Sequence, residues 1–168
     1  PQTYLQLTMP EKSREHLELA TRRAAERSVS DRELAWIEAA KLQLDAVLTP
    51  AASRPAKLDL YRTALDRLIE SDPSDVETLL QRGLAEEPSG WGRGQHGEAS
   101  ALPYFERARA RVPNHIGANH YLAHTLENLG RYAEAAEHAQ QYAKFAPAVP
   151  HAHHMVGHSL PRLGRWEE

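Results

Sequence analysis

No cysteine occurs among the 168 residues, which excludes disulfides and thiolate metal centres and leaves any metal chemistry to histidine and carboxylate side chains. Basic charge is not in excess either. The 20 Lys and Arg against 23 Asp and Glu give a net charge of -3, the opposite of the basic footprint of a nucleic-acid binder. No apolar run approaches the roughly 20 residues of a membrane span, and Pro1-Gln2-Thr3-Tyr4 carries no signal-peptide pattern. A phosphate-binding P-loop, a dinucleotide glycine fingerprint and a G-x-S-x-G nucleophile elbow are all missing. The serines fall mainly at expected helix caps, Ser30, Ser74 and Ser100. What remains is an ordinary soluble composition whose compartment stays open between a bacterial cytoplasm and export.

What the chain does have is histidine, ten residues of it, and two of the pairs recur: His120 and His124 are matched 34 residues later by His154 and His158. The same offset relates Pro113 to Pro147, Leu122 to Val156, Ala123 to Gly157, Leu126 to Leu160, Leu129 to Leu163, Gly130 to Gly164, Arg131 to Arg165 and Tyr132 to Trp166. Ala101, Phe105 and Ala108 precede Pro113 at the distances by which Ala135, Ala139 and Tyr142 precede Pro147, and Tyr61, Leu65 and Leu68 precede Pro73 likewise. A period of 34, an apolar residue followed by a small one, an early alanine in the second half and a closing proline together resemble the tetratricopeptide repeat. The resemblance runs from Pro73 to the C-terminus. It implies an all-α, right-handed superhelix, a tetratricopeptide-like solenoid of about eight helices, in which the core grows by stacking. On this reading residues 1–72 are diverged helical repeats and 73–168 are tetratricopeptide-like repeats, divided as 73–112, 113–146 and an incomplete 147–168. The missing methionine at the start and the stop at Arg165-Trp166-Glu167-Glu168, which reads as the opening of a helix, lead us to expect a fragment.

Local signals place the elements. Leu17, Ala20, Ala24 and Ala25 recur at helical spacing from about Pro10 to Arg27. Ser30 with Glu33 forms a capping box for a second helix that ends before Pro50; a third runs to about Glu70, and Ser74 with Glu77 starts a fourth. Pro73 to Pro113 spans 40 residues rather than 34, so about six extra residues belong to a loop at 87–97, where four glycines and a proline forbid regular structure. Trp91 stands on it, either folded back on the helices or as part of a binding loop at the edge of a groove. Further helices are expected at about Ser100 to Arg111, Ile116 to Leu129, Tyr132 to Phe145 and His151 to Leu163. Asn114 suits an N-cap, Gly130 and Gly164 suit left-handed C-caps, and Pro161 should bend the last helix beside His158.

Residues four apart share a helix face, so each pair presents two imidazoles together. The resemblance implies that positions two, five, nine, twelve and thirteen of each first helix line a concave groove. Those positions are His120, His124, Glu127 and Asn128 in one copy and His151, His154, His158 and Arg162 in the next. H-x-x-x-H on one face suits Zn, Cu, Ni or Fe. His120, His124, His154 and His158 are the candidate metal ligands, with His115, His151 and Glu127 as further ligands or as partners that orient the imidazoles. Without metal, such a cluster repels protons and titrates below about 6.5. His153 reads as off the groove, and His16, His96 and His138 as solvated. The C-terminal half is also similar to bacterial tetratricopeptide-type proteins that carry H-P-G-A-x-H-x-x-x-H, then P-H-A-x-H-M-x-x-H and R-L-G-x-W, with Ile116 here replacing the first motif's proline. The clamp for chaperone carboxylate tails, which needs lysine and asparagine at positions five and nine, is disfavoured by Leu80 and Leu84.

The leading expectation is therefore a binding module that holds a protein, peptide or small ligand on a histidine-lined face that takes a transition metal. The alternatives are a metal-dependent hydrolase or oxidase built on the same residues, and an architectural segment of a larger protein. No catalytic residue is assigned, and neither a nucleic-acid partner nor an oligomeric state follows from the sequence.

Overall fold

The computed structural model describes residues 8–91 and 99–167, and among these every regular element is helical. Eight α-helices run in chain order: α1 (Pro10–Glu26), α2 (Asp31–Leu48), α3 (Arg54–Ser71), α4 (Val76–Leu84), α5 (Leu102–Arg111), α6 (Ile116–Asn128), α7 (Tyr132–Phe145) and α8 (Pro150–Ser159). Single 3-10 turns, Ala99–Ala101 and Pro161–Leu163, precede α5 and follow α8. Helices α1 to α3 pack as adjacent neighbours, and α4 to α8 do likewise in a tetratricopeptide-like arrangement. The described residues form two compact units, one running to Ser74 and including 87–91, the other made of 75–86 and 99–167.

In the N-terminal unit, Leu17, Ala40, Leu44 and Val47 form an apolar cluster, with Ile37 and Trp91 packed against it. Ser30 caps α2 as expected: its Oγ accepts from Glu33 N–H at 3.2 Å while Glu33 Oε2 accepts from Ser30 N–H at 2.8 Å. The stretch leading to Trp91 is tucked onto α2 and α3. Gln43 Nε2 donates to the Gly90 carbonyl at 3.2 Å, and Gly90 has φ +73, where a Cβ would lie 3.2 Å from Leu58. Trp91 is thus folded back into the apolar cluster; the remainder of the expected 87–97 loop, from residue 92 on, lies outside the described residues.

The C-terminal unit carries the repeat. Helices α6 and α8 begin 34 residues apart, at Ile116 and Pro150, and their ends repeat as well. Gly130 (φ +74) and Gly164 (φ +73) are both left-handed, and Arg131 N–H donates to Leu126 O as Arg165 N–H donates to Leu160 O. The three-residue connection at 129–131 turns the chain back so that α7 lies against both α6 and α8. Alanines at the contacts, Ala118, Ala123, Ala139 and Ala152, are fully buried and let the helices approach closely, with Met155 and Tyr142 filling the space beside them. Phe105 stacks on Tyr121 at 5.3 Å and closes α5 onto α6.

Four local expectations need correction. Asp75, not Ser74, caps α4: its carboxylate accepts from Glu77 and Thr78 N–H at 3.2 Å each, while the Ser74 hydroxyl is taken by Asp72 at 2.6 Å. An ionised cap also suits the positive end of the helix. His115, not Asn114, caps α6, its Nδ1 accepting from Ala118 N–H at 3.3 Å. Ser100 caps nothing; its hydroxyl donates to Glu86, and α5 follows a 3-10 turn. Helix α8 spans Pro150–Ser159 rather than reaching Leu163, because Pro161 has no N–H for the Gly157 carbonyl and the chain tightens into a 3-10 turn.

Candidate functional site

The exposed side of α6 and α8 carries a continuous run of imidazoles. His120 and His124 lie one turn apart on α6 with ring centroids 4.9 Å apart. His151, in the first turn of α8, meets both: its Nε2 is 2.9 Å from His120 Nε2, and its ring stacks on His124 at 6.0 Å. The run continues along α8 from His151 to His154 at 5.5 Å and from His154 to His158 at 4.4 Å. It ends at Glu127, whose Oε1 lies 3.6 Å from His158 Nδ1 and 3.8 Å from Arg162 Nε. Arg162 itself sits over the Tyr132 ring at 5.5 Å. Asn128 is exposed at the end of α6.

Within this run the structure singles out three residues. One ring nitrogen from each of His120, His124 and His151 lies within 4.8 Å of the other two, so the three can hold a metal ion. Tetrahedral nitrogen ligands about 2.0–2.1 Å from zinc stand about 3.3 Å apart from one another. The 2.9 Å between His120 and His151 Nε2 is just inside that spacing. The His124 Nε2 is buried and has no hydrogen-bond partner among the described residues, a costly state for a ring nitrogen that a metal would relieve. The sequence placed His151 in a supporting role and put His154 and His158 in the ligand set. In the structure position two of one first helix comes level with positions five and nine of its neighbour, which brings His151 to His120 and His124, while His154 and His158 fall farther along on the open side.

Burial controls the charge of the three. Desolvation first, then the neighbouring imidazoles His124 and His151, pulls His120 down to about 3. His124 is lowered to about 4 by desolvation and by His151, His158 and His154. His151 is also lowered, by burial and then by His154 and His158. All three rings are therefore neutral near pH 7, each with one N–H and one lone pair, and between His120 and His151 one Nε2–H donates to the other's Nε2. Tyr142 and Tyr121 flank His120 with centroids 5.0 Å away, closing the site from behind, and burial raises the Tyr142 phenol above its usual value.

The remaining histidines have other duties. His115 is committed to its cap, and because Nδ1 accepts there, Nε2–H donates to Glu77 Oε1 at 3.1 Å; it does not join the triad. His153 Nε2–H donates to the Pro147 carbonyl at 2.9 Å, away from the run. His16 is exposed, and His96 lies outside the described residues. His138, expected to be solvated, is half-buried instead, and its Nδ1–H donates to Asn119 Oδ1 at 2.9 Å. Desolvation and the Arg109 charge lower it to about 4. Asn119, fully buried, donates in turn to the carbonyls of Pro113 and His115, a polar link that no spacing in the sequence announced.

The fold and the repeated helix ends agree with a family match: residues 91–158 match the tetratricopeptide repeat. That segment belongs to the tetratricopeptide repeat family. Its histidine triad lies on the first helices of two consecutive tetratricopeptide repeats, and a repeat of this kind suggests a protein-interaction module, since stacked helix pairs present extended binding faces. No curated protein matches the chain. Among the described residues no helix is long and apolar enough to cross a membrane.

Proposed function

We propose that this tetratricopeptide repeat segment is a metal-binding interaction module, in which His120, His124 and His151 hold a late first-row transition metal. The observation that carries the reading is the convergence of ring nitrogens from three neutral imidazoles within 4.8 Å, one of them buried without a hydrogen-bond partner among the described residues. Three imidazoles suit Zn, Cu, Ni or Fe, and three protein ligands leave a coordination position open on the side where the helices face outward. The ligands come from α6 and α8, so the ion would join consecutive repeats and stiffen the face offered to a partner. A partner protein would meet the exposed His154, His158 and Arg162 at the far end of the same run.

The test is metal analysis by mass spectrometry on untagged protein purified without metal-affinity resin, before and after incubation with Zn, Cu, Ni and Fe followed by dialysis. Near-stoichiometric metal in the native protein, lost in a His124→Ala/His151→Ala variant of unchanged helicity, supports the reading. Failure to retain any of the four metals overturns it.

A further inference from the structure

The far end of the imidazole run has a feature the triad leaves unexplained. The Glu127 side chain is only 11% exposed, yet no donor among the described residues lies within hydrogen-bond distance of its carboxylate. Its nearest basic neighbours are His158 Nδ1 at 3.6 Å and Arg162 Nε at 3.8 Å, both beyond a normal hydrogen bond. The side chain is largely covered while its carboxylate is held only by these two longer contacts, which leaves it able to take a closer cation. Arg162 is a poor answer, because its side chain is 56% exposed and its guanidinium is drawn to the Tyr132 ring.

His158, the imidazole beside that carboxylate, stands one helical turn from His154 on α8, with the two ring centroids 4.4 Å apart. Two imidazoles at this spacing on a formed helix are a pre-arranged chelate, since the backbone has already fixed the distance between them. Both rings are exposed, so they can turn toward an ion without displacing a neighbour. A carboxylate and two imidazoles form the mixed nitrogen and oxygen set that zinc accepts.

We infer that His154, His158 and Glu127 form a second, weaker transition-metal position beside the triad. It extends the metal-binding reading and makes the face a two-ion surface, the inner position built from three imidazoles and the outer from two imidazoles and a carboxylate. The outer ion neutralises Glu127 and displaces Arg162 from its neighbourhood. Removing Arg162 should therefore tighten the outer position, which a merely structural role for Glu127 would not produce.

The probe is Zn(II), added to the metal-free chain and followed by titration calorimetry, with equilibrium dialysis to count the ions. The expected result is two equivalents of different affinity. The weaker is lost in His154→Ala/His158→Ala and in Glu127→Gln, is tightened several-fold in Arg162→Gln, and survives in His124→Ala/His151→Ala. One equivalent that only the triad variant removes would overturn the outer position and leave the triad standing. Two equivalents indifferent to His154, His158 and Glu127 would overturn it as well, and no bound zinc at all would overturn both readings. Glu127→Gln is nearly isosteric, so it keeps the result interpretable if the double alanine variant loses helicity.

Discussion

Acidifying the metal-free protein from about pH 6.5 to about pH 5 should remove about 3 kcal/mol of folding stability through His120 and His124 alone. In the folded chain these imidazoles titrate at about 3 and about 4, held down first by burial and then by their neighbours. In the unfolded chain each returns to about 6.5. Both rings are neutral in either state well above that value, so the contribution they allow is fully present there. As pH falls through about 6.5 the unfolded chain binds two protons that the folded chain refuses, and stability drops until the folded values are reached. Each group loses about 1.6 kcal/mol over those 1.5 pH units, against a typical total of about 5–15 kcal/mol for a domain. His151 and His138, both lowered, push in the same direction. The assay is urea unfolding followed by far-UV circular dichroism at several pH values and constant ionic strength. A His120→Gln/His124→Asn variant should lose most of the slope. An unfolding midpoint that does not move between about pH 6.5 and pH 5, or a slope that survives in the double variant, would refute the reasoning.

Zinc at a free concentration about 100 times its dissociation constant should stabilise the fold by about 2.7 kcal/mol and raise Tm by about 5–10 °C, reversibly with chelator and not in His124→Ala/His151→Ala. Gly83→Ala should destabilise by about 1–3 kcal/mol in urea unfolding, because the new Cβ would sit 2.4 Å from a ring carbon of the buried Phe105. Asp75→Ala should cost about 1 kcal/mol by removing the cap of α4, and Asp75→Asn or Asp75→Ser should recover most of it. Asn119→Ala, which strips partners from His138 and from two buried-side carbonyls, should cost about 2 kcal/mol by the same assay.

The repeat phase was readable because stacking and chain reversal impose it: Leu122 and Leu126 recur 34 residues on in Val156 and Leu160, on the packed side of the helix, while Gly130 and Gly164 recur because both helix ends need a left-handed residue. The face bearing His120, His124, His154 and His158 followed from that phase. What could not be read depended on competition or on neighbours distant in sequence. Ser74 and Asp75 both suit a cap, and only the engagement of Ser74 by Asp72 decides between them. Helix stagger promoted His151 over His154 as a partner for His120, and stagger is a property of two helices rather than one. His138 looks solvated by spacing alone; its environment is set by Asn119, nineteen residues away. The carboxylate of Glu127 is similar, since an acidic residue near a helix end gives no sign that it will be almost covered.

The Asn119 link has a mechanical consequence for the imidazole-bearing face of α6. By gripping His138 on α7 and two carbonyls at its own N-terminus, Asn119 fixes the angle at which α6 sits about its long axis. An imidazole nitrogen standing about 6–7 Å from that axis would travel about 2 Å for a roll of about 20°, on a helix that turns about 100° per residue. Metal ligands tolerate errors of only about 0.2 Å. The helix is in effect keyed like a shaft, and the key lies on a different face from the imidazoles it aligns.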